Sequence, residues 1–421
     1  MSKTRDDRFP QARLRRDHER VVFHRIRANA PVSRSQLASG TGLSAQAIGS
    51  IVRSLLDDGL IVETDMPRGD GPGPSPIGLR VYPDGAFAIG FGIERDRLSG
   101  VVLDLDGEVR WQRSAPISAG ETASSTLARM RDWASSVLGS ADWAHLRTRF
   151  CGIGVAAPGP VDLALATILG PPNFPSWEVV DLVAELGPPT GLPVVVDNAS
   201  TAAAVGVEWR MPRTHRSFLY CYWGVGIGGA LVLGDEPYRG TTGNAVEVGH
   251  VVVDPFGRPC ACGAIGCLEA EASVAALLRD ASVFGRFDSV EELAVAARGS
   301  AELRAMLNRA AERLGAALMG VLNVVDVDQV VIGGDHFRSV KDVFLPVLRT
   351  WVEQRAFRRR VAAVRVSVAE LGEEAAAIGA ASVVFQTLVP SEPAVRSHCV
   401  RWPHASPCPP ARQETKPRRS A

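Results

Sequence analysis

One histidine and three cysteines, His250, Cys260, Cys262 and Cys267, fall within one short stretch of the chain. An imidazole and three thiolates form the ligand set of a closed tetrahedral zinc site, which is structural rather than catalytic. Two glycines between the last two cysteines let the chain turn back tightly enough for both thiols to reach one ion. Ordinary buried thiols are the alternative, but unligated cysteines rarely cluster beside a histidine. The sequence therefore predicts a structural Zn²⁺ ion.

The residues around this cluster form a longer pattern. Glu247-Val248-Gly249-His250 precedes it, a Cys-x-Cys-Gly-x-x-Gly-Cys run carries the thiols, and Leu268-Glu269 follows. Together they resemble the signature of the ROK (repressor, ORF, kinase) family of sugar kinases and sugar-responsive repressors. The resemblance implies that His250 both ligates zinc and contacts the sugar, while Glu247 and Glu269 accept hydrogen bonds from sugar hydroxyls. A fixed metal beside such a pocket would position these groups before the sugar binds.

Length and composition predict more than one folded domain. A chain of 421 residues is too long for a single hydrophobic core, and its 46% of hydrophobic residues is ample for two or more. Basic and acidic residues number 46 each, so the net charge indicates no particular partner. The chain shows neither a signal-peptide pattern nor a long apolar run, and its seven cysteines form no disulfide framework. We therefore expect a cytoplasmic protein with no membrane partner, associated with the nucleoid when it binds DNA.

Composition divides the chain into four segments. Residues 1–17 form a basic arm, 18–82 contain helices and two short strands, 83–388 alternate strands with helices, and 389–421 are Pro-rich and expected to be disordered. Strand hairpins followed by helical crossovers occur twice in the third segment, which predicts two similar α/β lobes. The resemblance implies that these lobes form a two-lobed actin-like (ribonuclease H-like) domain with a sugar cleft between them.

The second segment carries the sequence signals of a winged helix-turn-helix. Ser33 caps a short amphipathic run, and Ser44 caps a second helix from Ala45 to about Asp57. Leu60–Glu63 and Leu79–Val81 could pair as the two strands of a wing. A helical hairpin that serves only for packing is the alternative, but the arginines upstream favour DNA binding. Residues 33–63 also resemble the DNA-binding module of ROK repressors.

The second helix is expected to bury one face and present the other to the major groove. Its inward stripe is predicted to be Ile48, Ile51, Leu55 and Leu56. Gly49 costs about 1 kcal/mol of helix stability and offers no base contact, so phosphate contacts should supply much of the affinity. The residues expected to contact DNA are Arg34, Ser44, Gln46, Ser50 and Arg53.

The residues that a sugar kinase needs for phosphoryl transfer are the missing part of the pattern. By resemblance, Ala199 stands where the kinases carry the aspartate that takes the hydroxyl proton. Their first phosphate loop is replaced by residues 92–97, which include Glu94 and Asp96 and would repel a triphosphate. Asp197 is a poor substitute base, because aligning it with the kinases' aspartate would shift the alanines that follow out of register with the family pattern. The glycine-rich hairpin at 224–229 is interpreted as turn geometry beneath the sugar pocket.

The sugar side of the pattern is better preserved. Pro172-Asn173-Phe174-Pro175-Ser176-Trp177 resembles a sugar-binding segment of the family, and Asn198 precedes the position of the missing aspartate. Each asparagine alone would suit a turn, but both accompany the glutamates and the histidine of the signature. The predicted sugar-binding residues are Asn173, Asn198, Glu247, His250 and Glu269.

These observations predict a sugar-responsive transcriptional regulator, a repressor of carbohydrate genes without kinase activity. Its expected partners are operator DNA and a sugar or sugar derivative, and it is expected to act as a homodimer or a dimer of dimers on a pseudo-palindromic site. One alternative is a kinase for hexoses or N-acetylhexosamines with an appended DNA-binding domain. Another is a regulator that senses no sugar and is controlled by protein contact.

Overall fold

The computed structural model describes residues 9–66, 77–118, 120–210, 217–234, 236–372 and 374–388. The predicted disordered tail at 389–421, residues 1–8 of the predicted basic arm and most of the Gly/Pro-rich connection at 65–78 lie outside these ranges. The N-terminal head consists of α1 (Phe9–Asn29), α2 (Arg34–Thr41), α3 (Ala45–Asp57), β1 (Ile61–Asp65) and β2 (Ile77–Val81). The first helix therefore includes residues 9–17 of the predicted arm.

The first lobe of the large domain contains β3 (Phe87–Ile93), β4 (Arg97–Asp104), β5 (Val109–Pro116), α4 (Ala123–Gly139), β6 (Phe150–Ala157), β7 (Val161–Asp162), β8 (Thr167–Leu169), β9 (Val179–Asp181), α5 (Leu182–Thr190), β10 (Val194–Asn198) and α6 (Ala199–Arg210). The second lobe contains β11 (Phe218–Trp223), β12 (Ile227–Leu233), β13 (Glu236–Tyr238), α7 (Leu268–Ala272), α8 (Val274–Ala281), α9 (Val290–Ala296), α10 (Ala301–Val325), β14 (Gln329–Gly333), α11 (Asp335–Arg355) and β15 (Arg365–Val368). The last described helix, α12 (Ala375–Leu388), returns to pack on the first lobe.

The two lobes repeat one sheet topology. The first sheet has the order β10-β6-β3-β4-β5, and the second has the equivalent order β15-β14-β11-β12-β13. In the first sheet the central strand β3 pairs antiparallel with β4 and parallel with β6. In the second sheet the central strand β11 pairs antiparallel with β12 and parallel with β14. A parallel neighbour requires a long crossover connection, and α4 and α10 lie in these crossovers. The prediction of two similar α/β lobes is confirmed.

Local capping explains where the helices of the head begin. The Ser33 hydroxyl accepts a hydrogen bond from the Gln36 backbone N–H, and the Gln36 side chain accepts one from the Ser33 N–H, which forms a capping box. Gly42 ends α2 with a φ of 72°, a conformation that favours glycine. The Ser44 hydroxyl then accepts from the Ala47 N–H and starts α3. The strands of the wing pair antiparallel, as predicted.

The buried face of α3 differs slightly from the predicted stripe. Ile48, Ile51 and Leu55 are buried as predicted, but Val52 is also buried and Leu56 is only half-buried. The face is therefore rotated toward Val52, because α1 and β1 both pack against this helix. The opposite face, which contains Gln46, remains exposed.

The head and the first lobe share one hydrophobic core. Phe23 and Ile26 of α1 belong to the same buried cluster as Trp209 of α6 and Phe385 of α12. The ring of Trp209 stacks on that of Phe385 with their centroids 5.8 Å apart. Burial of large aromatic side chains on both sides of a junction holds the two parts in a defined arrangement.

Arginines of α1 add polar contacts to this junction. The Arg20 guanidinium pairs with Glu236 of the second lobe at 2.9 Å, and Arg27 donates to the backbone oxygen of Trp209. The arginines of this segment favour DNA binding when the sequence is considered alone. In the structure these two contact the large domain.

Candidate functional site

The predicted zinc ligands come together in the loop between β13 and α7. The sulfurs of Cys262 and Cys267 lie 3.7 Å apart, and the sulfur of Cys260 lies 3.7 Å from His250 Nδ1. All four ligand atoms lie within 4.8 Å of one another. Around a tetrahedral zinc with bonds of about 2.3 Å to sulfur and about 2.0 Å to nitrogen, neighbouring ligand atoms are roughly 3.5 to 3.8 Å apart. The donor set and its spacing therefore fit a zinc ion.

The backbone of this loop depends on glycine at two positions. Gly263 has a φ of 93° and Gly266 a φ of 71°, both in the region that L side chains rarely adopt. The turn is closed by hydrogen bonds from the Cys260 N–H to the Ala264 carbonyl at 2.8 Å and from the Gly266 N–H to the Arg258 carbonyl at 2.7 Å. The tight turn expected from the two glycines is present.

The five predicted sugar-binding residues line one cavity between the lobes, with a volume of about 350 Å³. Asn173 Nδ2 donates to Glu269 Oε1 at 3.3 Å, and Asn198 Nδ2 donates to Glu247 Oε1 at 3.4 Å. The fifth residue, His250, directs Nδ1 at the cysteines and also lines this cavity. The structure brings two amide–carboxylate pairs and the histidine together around one space, as a hydroxyl-rich ligand would require.

Glycines in the hairpin between β11 and β12 allow these side chains to approach the backbone. A Cβ on Gly226 would lie 2.7 Å from Glu269 Oε2, and one on Gly224 would lie 2.6 Å from Tyr222 Oη. The Ile227 N–H donates to Glu269 Oε2 at 2.9 Å and fixes that carboxylate. Burial raises the pKa of Glu247, an effect that the nearby His250 only partly offsets. The hairpin thus forms part of the wall of the cavity.

Three residues that line the cavity were missed from the sequence. Asn244 holds the loop opposite the glutamates, donating to the Val161 carbonyl and accepting from its N–H, both at 2.8 Å. Its position three residues before Glu247 was the only available signal. Tyr220 and Tyr222 also line the cavity, although their apolar strand gave no indication of it.

Of the two residues considered for the role of the kinase base, Ala199 lines this cavity and Asp197 does not. Ala199, the first residue of α6, lines the cavity without a carboxylate. Asp197 is fully buried, and its Oδ2 accepts from Arg239 Nε at 3.0 Å and Nη2 at 2.6 Å. A carboxylate held by a guanidinium in this way is not free to take a proton from a sugar hydroxyl. This arrangement argues against the Asp197 alternative.

The segment that replaces the first phosphate loop contacts the second lobe. His336 of α11 lies 3.7 Å from the Asp96 carboxylate and 3.3 Å from that of Glu291. These two carboxylates raise the pKa of His336, with the Asp96 hydrogen bond contributing most. Burial, together with the charges of Asp96 and Asp335, raises the pKa of Glu94 to about 8. This end of the cavity therefore presents carboxyl groups where a phosphate cradle needs N–H donors.

The residues expected to contact DNA lie mainly on one surface of the head. Ser44, Gln46, Ser50 and Arg53 are exposed along α3. Arg34 starts α2 instead, and its guanidinium pairs with Glu63 of the wing at 2.8 Å. The Ser44 oxygen already accepts the capping hydrogen bond, which leaves its O–H as the group available to DNA.

Comparison with known proteins agrees with this architecture. The sequence profile described as the ROK family matches residues 89–387. The chain belongs to the ROK family. A putative xylose repressor from Caldicellulosiruptor sp. (strain Rt8B.4) is 29% identical over 395 residues, covering 90% of this chain and 98% of the relative. A glucokinase from Thermotoga maritima is 32% identical over 253 residues, covering 56% of this chain and 80% of the kinase.

A solved structure extends the likeness to the fold of the head. The crystal structure of a ROK family transcriptional regulator, a homolog of the E. coli MLC protein, superposes with a TM-score of 0.74 at 24% identity. The superposition covers 89% of this chain and 96% of the regulator. The α/β fold expected for the ROK domain is therefore confirmed. None of the helices in the described part of the chain is long and apolar enough to cross a membrane.

Proposed function

We propose that this ROK protein is a sugar-responsive repressor whose large domain binds a sugar without phosphorylating it. The observation that carries the proposal is a cleft that keeps the hydroxyl-binding residues but has Ala199 at the position of the catalytic base. The putative xylose repressor matches across the head and the large domain, whereas the glucokinase matches little more than half of the chain. A kinase with an appended head remains the competing function.

The proposed sugar site consists of the two amide–carboxylate pairs and His250. Glu247 and Glu269 would accept hydrogen bonds from sugar hydroxyls, while Asn173 and Asn198 would donate to them. Zinc held by Cys260, Cys262, Cys267 and His250 Nδ1 would fix the histidine ring, which leaves Nε2 for the sugar. The ion's contribution is structural, because four protein ligands leave no open position for a substrate.

The proposed DNA surface is the exposed face of α3, supported by the wing. Gln46, Ser50 and Arg53 would contact bases or phosphates, with Arg34 and Ser44 at its edge. A homodimer would present two such helices to the half-sites of an operator. Sugar binding would change the relative stability of two arrangements of the heads, and therefore the affinity for DNA.

Calorimetry with xylose, glucose and N-acetylglucosamine tests the sugar site, and a coupled assay with ATP on the same preparation tests the kinase alternative. We expect at least one sugar to bind and none to be phosphorylated. The Asn173→Ala and Glu269→Gln variants should each weaken sugar binding about tenfold or more. The matched control is Glu302→Gln, an exposed carboxylate at the start of α10. Measurable phosphorylation by the unaltered protein would exclude a purely sensory domain.

Genomic fragments recovered with the protein from cells, followed by gel-shift measurements, test the DNA surface. We expect Arg53→Ala to weaken operator binding by about 1–3 kcal/mol if it contacts a base. Arg286→Ala in the second lobe serves as the control, because this exposed arginine lies outside the head and pairs with Asp288. Light scattering of the free protein and of its complex with the fragment gives the number of chains per operator.

A further inference from the structure

A buried ion pair joins the two lobes beside the proposed sugar site. Asp197 lies near the end of β10 in the first lobe, and Arg239 directly follows β13 in the second lobe. The Asp197 side chain is fully buried, and that of Arg239 is 15% exposed. Neither residue lines the cavity, so the pair does not contact a ligand there. Any effect of the pair on the site must pass through other residues.

The geometry of the pair fixes one position of Arg239 relative to β10. Two guanidinium nitrogens, Nε at 3.0 Å and Nη2 at 2.6 Å, donate to Asp197 Oδ2. A planar guanidinium with two bonds to one carboxylate has little freedom of orientation. Burying two charges costs about as much as their attraction returns, so such a pair adds little net stability. What it contributes is a defined arrangement of the two segments that it joins.

On the first-lobe side, Asp197 orients Asn198. The second oxygen of Asp197, Oδ1, accepts from the Asn198 backbone N–H at 3.0 Å. The Asn198 side-chain oxygen accepts from the Ser200 N–H at 2.9 Å, at the start of α6. The amide group is thereby turned so that its Nδ2 donates to Glu247 at 3.4 Å. The carboxylate that holds Arg239 thus also holds the backbone of a predicted sugar-binding residue.

On the second-lobe side, Arg239 anchors the segment that leads to Glu247. Gly243 turns this segment with a φ of 86°, a conformation that favours glycine. Asn244 then binds the backbone of Val161 in the first lobe through two hydrogen bonds of 2.8 Å. The segment is therefore attached to the first lobe at both ends, and Glu247 follows the second attachment in the chain.

Little space is available where the two sides meet. A Cβ on Gly159 would lie 3.0 Å from Asn198 Nδ2 and 3.4 Å from Glu247 Oε1. The glycine, the amide and the carboxylate therefore lie close together, and a small shift of the segment would separate the last two. Groups that are in place before a ligand arrives bind it more tightly than groups that must first be ordered.

We propose that Asp197 and Arg239 are positioning residues of the cleft. Their ion pair holds Asn198 of the first lobe and Glu247 of the second at the spacing that a bound sugar needs, without touching the sugar. This inference rests on the proposed function, because the spacing matters only for a ligand that both residues contact. Asp197 thereby acquires a role in the site other than that of a base.

Calorimetry of the full-length zinc-loaded protein with xylose, glucose and N-acetylglucosamine tests the inference. Arg239→Gln and the double variant Asp197→Asn/Arg239→Gln should each bind the preferred sugar about tenfold more weakly. Arg239→Lys, which keeps the charge but loses the planar fork, should bind it about threefold more weakly. Because Arg239→Gln leaves a buried carboxylate unpaired, the double variant should regain stability without regaining affinity. A pair that acted only through stability would recover both.

Hydrogen exchange adds a readout that needs no ligand. In the double variant we expect the amides of residues 240–247 to exchange at least about tenfold faster than in the original protein, because this segment has lost one attachment. The matched control is Asp104→Asn, which changes a buried carboxylate paired with Arg110 within the first lobe. This control should lower stability but leave sugar affinity and exchange at 240–247 unchanged.

The outcomes separate this inference from the proposed function. Sugar affinity of the double variant within about twofold of the original protein overturns the inference and leaves the sugar-responsive repressor intact. An unchanged exchange rate at 240–247 does the same. Failure of every sugar to bind the unaltered protein overturns the proposed function, and hydrogen exchange then still decides whether the pair holds this segment. The double variant and Arg239→Lys keep the test decisive if Arg239→Gln fails to fold.

Discussion

The guanidinium of Arg27 lies 3.7 Å from the centre of the Trp209 ring. Arg27 belongs to α1 of the N-terminal head, whereas Trp209 lies near the end of α6, the helix that starts at Ala199 in the cleft. Twelve residues of α-helix span about 18 Å. One rigid element therefore connects the cleft with the head, and α12 runs beside it from the cleft to Phe385.

Replacement of Arg27 by alanine should weaken the coupling between sugar and DNA. The change removes the cation–π contact and the hydrogen bond to the Trp209 carbonyl, while the sugar residues are untouched. We expect the sugar affinity to stay within about twofold of that of the original protein. The coupling free energy, obtained from the ratio of operator affinities with and without sugar, should fall by about 1 kcal/mol. Gel-shift titrations with and without sugar measure this ratio. An unchanged ratio would mean that α6 does not transmit the signal.

Removal of zinc should destabilise the large domain. Cys267→Ser deletes a buried ligand of the cluster, and we expect the variant to lose its metal, to unfold at a lower temperature and to bind sugar less tightly. Elemental analysis should give one zinc per chain for the original protein. Cys151→Ala, which removes a buried cysteine of β6 outside the cluster, should keep the metal. Full metal content in Cys267→Ser would contradict the assigned ligand set.

Restoring a carboxylate at position 199 should not restore a kinase. We expect Ala199→Asp to bind sugar several-fold more tightly, because the new carboxylate can accept a hydroxyl hydrogen bond at the start of α6. Phosphorylation should remain absent, since Glu94 and Asp335 still line the far end of the cavity. A coupled assay with ATP measures this directly. Turnover by the variant would show that the base alone was missing.

Glu94 should make the protein less stable as pH rises. Its pKa is raised from 4.5 to about 8 by burial, so the folded chain keeps a proton that the unfolded chain has already released. Stability is therefore lost between about pH 4.5 and pH 8, by at most about 4–5 kcal/mol for a shift of this size. Glu94→Gln should remove this slope and unfold at a higher urea concentration than the original protein at pH 8. Parallel pH profiles of the two proteins would contradict a buried, protonated Glu94.

Two helical glycines should respond oppositely to alanine. A Cβ on Gly49 of α3 meets nothing within 4 Å, so Gly49→Ala should raise the free energy of unfolding of the head by about 1 kcal/mol. A Cβ on Gly206 of α6 would lie 2.9 Å from the backbone nitrogen of Gly379 in α12, and Gly206→Ala should destabilise the protein. Urea unfolding measures both changes. Equal effects at the two sites would mean that the α6–α12 contact is not tightly packed.

Local signals in the sequence were sufficient for much of this molecule. Caps, turn glycines and periodicity gave α2, α3 and the wing to within a residue or two, because these features depend on neighbours in the chain. The zinc cluster could also be predicted, since three of its ligands lie within one turn-rich loop. The five residues predicted to bind sugar came from the family pattern, and the structure places all five around one cavity.

Only the tertiary structure decided what each polar side chain contacts. Arg20 and Arg27 were expected to favour DNA, yet they contact the large domain, because their partners Glu236 and Trp209 lie far away along the chain. Tyr220 lines the cleft, although it belongs to a strand whose apolar pattern indicated only core. Local sequence determines which elements form, since short-range hydrogen bonds and periodicity suffice for that. Contacts between distant segments depend on how the lobes and the head pack, which no single stretch of the chain specifies.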